Sequence, residues 1–144
     1  EGHLYMDDGQ TFAYRDDQAF LARKFTLTRD GPGHLRLAST SLTGRDIHTS
    51  ASSTALQVPG NAYEQETSSV RVERVIVYGL PEVHRIIARD DHGHDTSLAF
   101  TYTSGTSRSP SASDASAMLA SRLEIRDPRV LIGQDWSILI ETAP

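Results

Sequence analysis

The sequence predicts an all-β fold, an antiparallel β-sandwich with long Ser-rich loops, in a single domain over residues 1–144. Three observations predict it. Short β-prone runs recur along the whole chain. The breaks between them carry turn chemistry. The length and composition are those of a globular domain, because a soluble chain of this size buries about two-thirds of the surface it exposes when unfolded.

The runs lie at residues 3–6, 11–14, 20–28, 34–40, 70–78, 83–88, 97–103, 122–125 and 136–140. Between them stand Asp8-Gly9, Asp30-Gly31-Pro32-Gly33, Pro59-Gly60-Asn61, Gly79-Leu80-Pro81, Asp91-His92-Gly93 and Asp127-Pro128. Each supplies a residue suited to a positive or a fixed φ. Nine short strands at this spacing fit a sandwich or barrel. In the 70–78 run, Val70 and Val72 fall in one phase and Val75 and Val77 in the other, with Glu73-Arg74 at the shift. A bulge or bend is expected there. In the last run Trp136, Ile138 and Ile140 share a face, which places Trp136 in the core.

Two stretches lack sustained period and are expected to be loops: 41–66, rich in Ser, Thr and Ala, and 104–121, dominated by Ser, Thr, Gly and Ala. Within the second, 113–120 also has the Ala, Met and Leu content of a short helix capped by Ser113 or Asp114, so helix is the alternative to loop.

Bulk properties exclude several functions. The net charge of -5 repels a phosphate backbone, and the arginines are scattered along the chain, so no nucleic acid partner is expected. No apolar stretch approaches the roughly 18 residues of a membrane-spanning helix. Cys is absent, and Asn61, the sole Asn, is followed by Ala-Tyr, which is no glycosylation signal. The chain starts at Glu1 without Met or a signal-peptide pattern; a portion of a longer polypeptide is the expectation.

Candidate chemistry is sparse. The pairs Asp7-Asp8, Asp16-Asp17 and Asp90-Asp91 invite a glycosidase reading, but adjacent strand residues point to opposite faces, and each pair borders a turn that favours Asp for backbone hydrogen bonding. Asp90-Asp91-His92-Gly93-His94-Asp95 offers carboxylate and imidazole ligands without a third well-placed partner elsewhere, so a solvated hairpin tip is preferred to a metal site. No Gly-x-Ser-x-Gly elbow occurs. Tyr5, Phe12, Tyr14, Tyr63, Tyr102 and Trp136 are candidates for a sugar-stacking face or, more often for such residues, for the core. No catalytic residue, metal ligand or cofactor is assigned, and no substrate-binding residue is identified.

Several motifs nevertheless match a family. Residues 2–14, Gly-His-Leu-Tyr-Met-Asp-Asp-Gly-Gln-Thr-Phe-Ala-Tyr, resemble the Leu-Tyr-x-Asp-Asp-Gly-x-Thr/Ser-Phe-x-Tyr segment of family 31 glycoside hydrolases. Residues 20–27, Phe-Leu-Ala-Arg-Lys-Phe-Thr-Leu, and 72–79, Val-Glu-Arg-Val-Ile-Val-Tyr-Gly, resemble two strands of the same family in the same order. Residues 121–126 and 135–138 are similar to its last two strands. The stretch 41–66 is only loosely comparable, and 104–120 looks like an insertion.

The resemblance implies the C-terminal, distal β-sandwich of a retaining α-glucosidase that trims glucose from N-linked glycans in the endoplasmic reticulum lumen. It implies no catalysis by this chain, because the family's nucleophile lies in a Trp-x-Asp-Met-Asn-Glu segment of the catalytic barrel that this sequence does not contain, and its general acid is another barrel Asp. The implied partners are the barrel, met through Leu4, Tyr5, Asp7, Asp8, Gly9 and Phe12, and a non-catalytic regulatory (beta) subunit. A carbohydrate-binding module and a subunit-docking domain remain the alternatives.

Overall fold

The computed structural model describes residues 1–17, 19–42, 63, 66–90, 92–105 and 121–143. Among them, the strands are β1 (Gly2–Met6), β2 (Leu21–Arg29), β3 (His34–Ser41), β4 (Arg74–Tyr78), β5 (Val83–Arg89), β6 (Asp95–Ser97), β7 (Phe100–Thr103), β8 (Arg122–Arg126) and β9 (Trp136–Thr142), with one short helix, α1 (Ala13–Asp16). A large sheet runs β1-β2-β3-β9-β5-β6 and a small one β4-β8-β7. Every pairing is antiparallel, so the expected all-β sandwich is the observed fold.

The alternation of side chains makes the core. On β9, Trp136, Ile138 and Ile140 are buried while Ser137 and Leu139 between them are half-buried, as a period of two requires. Opposite them, Leu123 and Ile125 of β8 are fully buried, and Val75 and Val77 of β4 pack against the same cluster. On β5 the register shifts between Val83 and Arg85, and Val83 and Ile86, three residues apart, both reach the core. An irregularity of this kind is what lets a strand change phase. Trp136 satisfies its indole by donating from Nε1 to the Leu131 carbonyl at 3.1 Å, which a buried Trp requires.

The large sheet is closed at one end by Gly33. Its φ is +71°, and a Cβ there would lie 3.0 Å from the Thr142 carbonyl oxygen. The Gly33 carbonyl in turn accepts from Thr142 N at 2.8 Å. Only glycine supplies both the left-handed backbone and the close approach.

Two elements differ from expectation, and a third breaks where it was expected to. Residues 11–14 were expected as a strand, but residues 13–16 form α1. The cause is local: Asp8 Oδ1 accepts from the N–H groups of Gln10 and Thr11, and Thr11 Oγ1 accepts from Ala13 N. These side chains take up the donors a ladder would need and roll the chain into a helical turn. The 70–78 strand breaks at the predicted shift. Residues 70–73 leave β8 and run beside the 130–132 segment, with Val72 N donating to Val130 O and Ile132 N to Val70 O. Val72 and Val75 both pack on the core, each in its own phase. Finally, 97–103 is two strands, β6 in the large sheet and β7 in the small one. Leu98, 7% exposed and bonded through its N–H to Ile86 O, sits where the chain crosses between layers.

Of the two expected loops, 41–66 has Ser41 in β3, and at its end Thr67 N and Oγ1 both donate to Tyr63 O. Residues 43–62, 64–65 and 106–120, with the alternative helix at 113–120, lie outside the described residues. No helix among the described residues is long and apolar enough to cross a membrane.

Candidate functional site

The sequence-predicted patch gathers at one edge of the large sheet. In the β1–β2 ladder Leu4 pairs with Arg23 and Tyr5 with Ala22. Ladder partners share a face, so Leu4 lies on the side that carries Arg23 and Tyr5 lies on the other. Tyr5 is 54% exposed and stacks on Phe20, with ring centroids 5.5 Å apart. After β1 the chain turns on Gly9 at φ +63°. Asp7 Oδ1 accepts from Gly9 N at 2.8 Å, and the Asp7 carbonyl accepts from the Tyr63 hydroxyl at 2.9 Å. Phe12, 64% exposed, lies 6.3 Å from the Tyr14 ring, with the Arg15 guanidinium 5.3 Å from its centroid.

The structure therefore brings Tyr5, Asp7, Asp8, Gly9 and Phe12 together around one turn, with two large rings exposed beside it. Partial desolvation, and then a hydrogen bond with the Asp7 carboxylate, raises the Tyr5 hydroxyl above its ordinary value. The Thr11 hydroxyl, followed by the backbone N–H groups of Thr11 and Gln10, holds the Asp8 carboxyl below the usual carboxylate range. A carboxyl held ionised by its own turn is a poor proton donor near neutral pH. Asp7 and Asp8 spend their acceptor capacity on building the bend.

Two other acidic groups are engaged in the same way. Asp16 pairs with Arg15 at 2.8 Å. Asp90 accepts from the N–H groups of His92 and His94, the latter at 2.8 Å, and its carboxyl is lowered by that backbone bond. The His92 and His94 rings meet edge to face at 6.2 Å. Among the described residues, no group of three potential ligands is placed to hold a metal ion. Of the remaining aromatic candidates, Tyr63 and Tyr102 spend their hydroxyls on the Asp7 and Leu80 carbonyls, and Trp136 is in the core.

Two charge clusters were not singled out from the sequence. Arg23 is fully buried in β2; its guanidinium donates to Ser39 Oγ at 3.1 Å, Gly133 O at 3.2 Å, the Gln134 carbonyl, and Asp135 Oδ1 at 2.8 Å. The signal was available: Leu21, Arg23 and Phe25 alternate, placing an arginine in the apolar phase of a strand. The second is Glu124, on the outward side of β8 between the buried Leu123 and Ile125. It is ringed by Arg122 at 2.6 Å, Arg126 at 2.8 Å and Arg74 at 3.4 Å. Here the signal was Arg-x-Glu-x-Arg, three charges on one strand face.

Hydrogen bonds from Arg122 and then Arg126 hold the Glu124 carboxyl below its ordinary value of 4.5. The unfolded chain thus takes up this proton at higher pH than the folded one. The contribution is complete above pH 4.5 and is lost as pH falls through the lower folded value. Glu124→Gln is expected to show a smaller fall in thermal midpoint between neutral pH and about pH 3; parallel curves for the two proteins would reject the assignment.

No protein-family model matches the chain. Human neutral alpha-glucosidase AB is 24% identical over 138 residues, which is 96% of this chain and 11% of that protein. The glucosidase II alpha subunit in its DNJ-bound form matches at a TM-score of 0.61 and 22% identity, over 96% of this chain and 13% of that one. The chain is similar to one segment of a glucosidase. The catalytic subunit of an ER glucosidase II heterodimer, solved with the binding domain of its regulatory subunit, matches at a TM-score of 0.61 and 22% identity over 96% of this chain and 12% of that one. At that identity the solved structures establish the fold. This chain spans about a tenth of the length of the relatives it matches, and the match runs through nearly all of it, as the motif order predicted.

Proposed function

We propose that this chain is the non-catalytic C-terminal sandwich of a family 31 retaining α-glucosidase, and that it stabilises the catalytic barrel through Tyr5, Asp7, Asp8, Gly9 and Phe12, with Leu4, on the opposite face of β1, supporting them from the sheet. The observation that carries the proposal is the exposure of Tyr5 and Phe12 at 54% and 64% beside a turn rigidified by its own carboxylates. Two solvated rings held on a fixed bend are what a sandwich needs to bury against a second domain. The similarity to glucosidase II over 96% of the chain supports glucose trimming from N-linked glycans as the activity of the whole enzyme, and the endoplasmic reticulum lumen as its place. The regulatory subunit named with the related catalytic subunit supports a non-catalytic second subunit as a further partner.

The chemistry is assigned to the barrel, because Asp7, Asp8, Asp16 and Asp90 are committed to turns and ion pairs. The purified chain is accordingly expected not to hydrolyse a chromogenic α-glucoside, whereas mixing it with the polypeptide that carries the barrel restores activity or raises the barrel's thermal midpoint. Turnover by the chain alone would overturn the proposal. A carbohydrate-binding reading rests on Tyr5, Phe12 and Tyr14 as stacking surfaces; it requires glycan binding by the isolated chain that Phe12→Ala weakens.

A further inference from the structure

We infer that the outward face of the small sheet is a docking surface for an acidic polypeptide segment. The register of β4 on β8 pairs Arg74 with Arg126, Ile76 with Glu124 and Tyr78 with Arg122. Val75, Val77, Leu123 and Ile125 point into the core, so these six side chains lie on the opposite surface, next to Thr101 and Thr103 of β7. It carries three arginines against one glutamate, a local charge of 3 − 1 = +2 on a chain of net charge -5.

Glu124 explains how the arginines are held but not why there are three. One carboxylate neutralises one guanidinium, and its two oxygens offer about four acceptor positions, whereas three guanidinium groups present fifteen N–H donors. Arg74 and Arg126 keep side-chain exposures of 53% and 76% while their Nε atoms point at Glu124. Among the described residues their terminal nitrogens meet no acceptor, which leaves them for a carboxylate in bidentate geometry. Arg122, oriented by Glu124 and by the Tyr78 phenol, is raised above its ordinary value by the same two contacts.

Beside the charges lie two exposed apolar side chains, Ile76 at 38% and Tyr78 at 62%. Tyr and Arg together are the composition enriched at the centres of protein interfaces. That mixture selects the occupant. A phosphate backbone would use the arginines, leave Ile76 and Tyr78 unused, and meet the repulsion of the chain's net negative charge. A peptide carrying carboxylates among apolar side chains uses both. The surface lies on the opposite side of the sandwich from Tyr5, which faces outward from the large sheet, so this inference stands or falls apart from the contact with the barrel.

The test is fluorescence anisotropy with a fluorescein-labelled peptide of alternating Glu and Leu, titrated with the purified chain. Saturable binding is expected, weakening as salt is added. It should weaken at least about tenfold in Arg74→Glu/Arg126→Glu, and equally when Gln replaces every Glu in the peptide. Both arginine side chains are more than half exposed, and an unchanged thermal midpoint confirms that the double variant is folded. Its association with the barrel polypeptide should match that of the wild-type chain. No saturable binding, equal affinity in the double variant, or tighter binding of a sulfated oligosaccharide of matched charge would overturn the inference.

Discussion

Replacing Arg23 by Met is expected to lower the unfolding free energy by roughly 2–3 kcal/mol. The guanidinium is completely buried and ties β2 to Ser39 of β3, to the Gly133 and Gln134 carbonyls, and to Asp135. Met fills most of the volume, so the cavity cost is small and the loss comes from orphaned acceptors. Each buried acceptor left without a donor costs about 1–3 kcal/mol. Gln134 and Asp135 lie in exposed positions, where water replaces part of what is lost, and burying a charge is itself costly. The net therefore falls below the sum over four contacts. Asp135 also accepts from Ser41 N at 2.8 Å, so the arginine orients the group that ends the β2–β3 ladder. In thermal denaturation the change corresponds to a fall of very roughly 10 °C for a domain of this size. A loss below about 1 kcal/mol would mean that the network fixes geometry without adding stability.

Arg23 also shows where legibility in the sequence ends. The strands that build the core could be read because their pattern is set by burial alone. Trp136, Ile138 and Ile140 alternate, and the shift at Glu73-Arg74 marks where the chain leaves β8 for the 130–132 segment. A side chain whose partners lie 110 and 112 residues away cannot be paired from spacing. Its place in the apolar phase is visible, but three of its four acceptors become evident only when the loop before β9 folds over β2. Glu124 is the opposite case. All of its β8 partners are within two residues, yet the pattern resembled an ordinary solvated strand face until Arg74 arrived from β4.

The helix at residues 13–16 was missed for a different reason. Thr11, Phe12 and Tyr14 are good strand formers, and propensity favoured β. Side-chain acceptors outcompeted it, because Asp8 and Thr11 supply local hydrogen bonds that a strand cannot use. The consequence reaches the candidate site. A strand would have alternated Phe12 and Tyr14 with Thr11 and Ala13 along a ladder, whereas the turn leaves Phe12 exposed and paired with Tyr14. The split of residues 97–103 has the same character: seven residues of strand composition cannot reveal that Leu98 is the corner between two sheets.

Converting Tyr5 and Phe12 together to Asp is expected to separate folding from docking. Tyr5 contributes one stacked contact with Phe20, and Phe12 its contacts with Tyr14 and Arg15. Losing exposed ring pairs of this kind costs the isolated chain about 1 kcal/mol. If the two rings bury against the barrel, docking loses more. Each aromatic side chain presents about 150–250 Å², roughly half of it already covered here, and burial is worth about 25 cal/mol per Å². Half the area of two such rings is therefore worth about 4–6 kcal/mol, an upper limit to what remains to be gained on docking. That corresponds to as much as about a thousandfold in affinity between the chain and the barrel polypeptide, before the added cost of desolvating two new carboxylates. Asp7→Ala isolates the turn, since it removes the acceptor for Gly9 N while leaving both rings in place. It should weaken association less than the double variant if the rings carry the contact, and more if the bend that presents them does. Equal affinity of the wild-type chain and the Tyr5→Asp/Phe12→Asp variant, measured by calorimetry with the fold verified, would remove this edge from the interface and leave the exposed rings to the carbohydrate-binding reading.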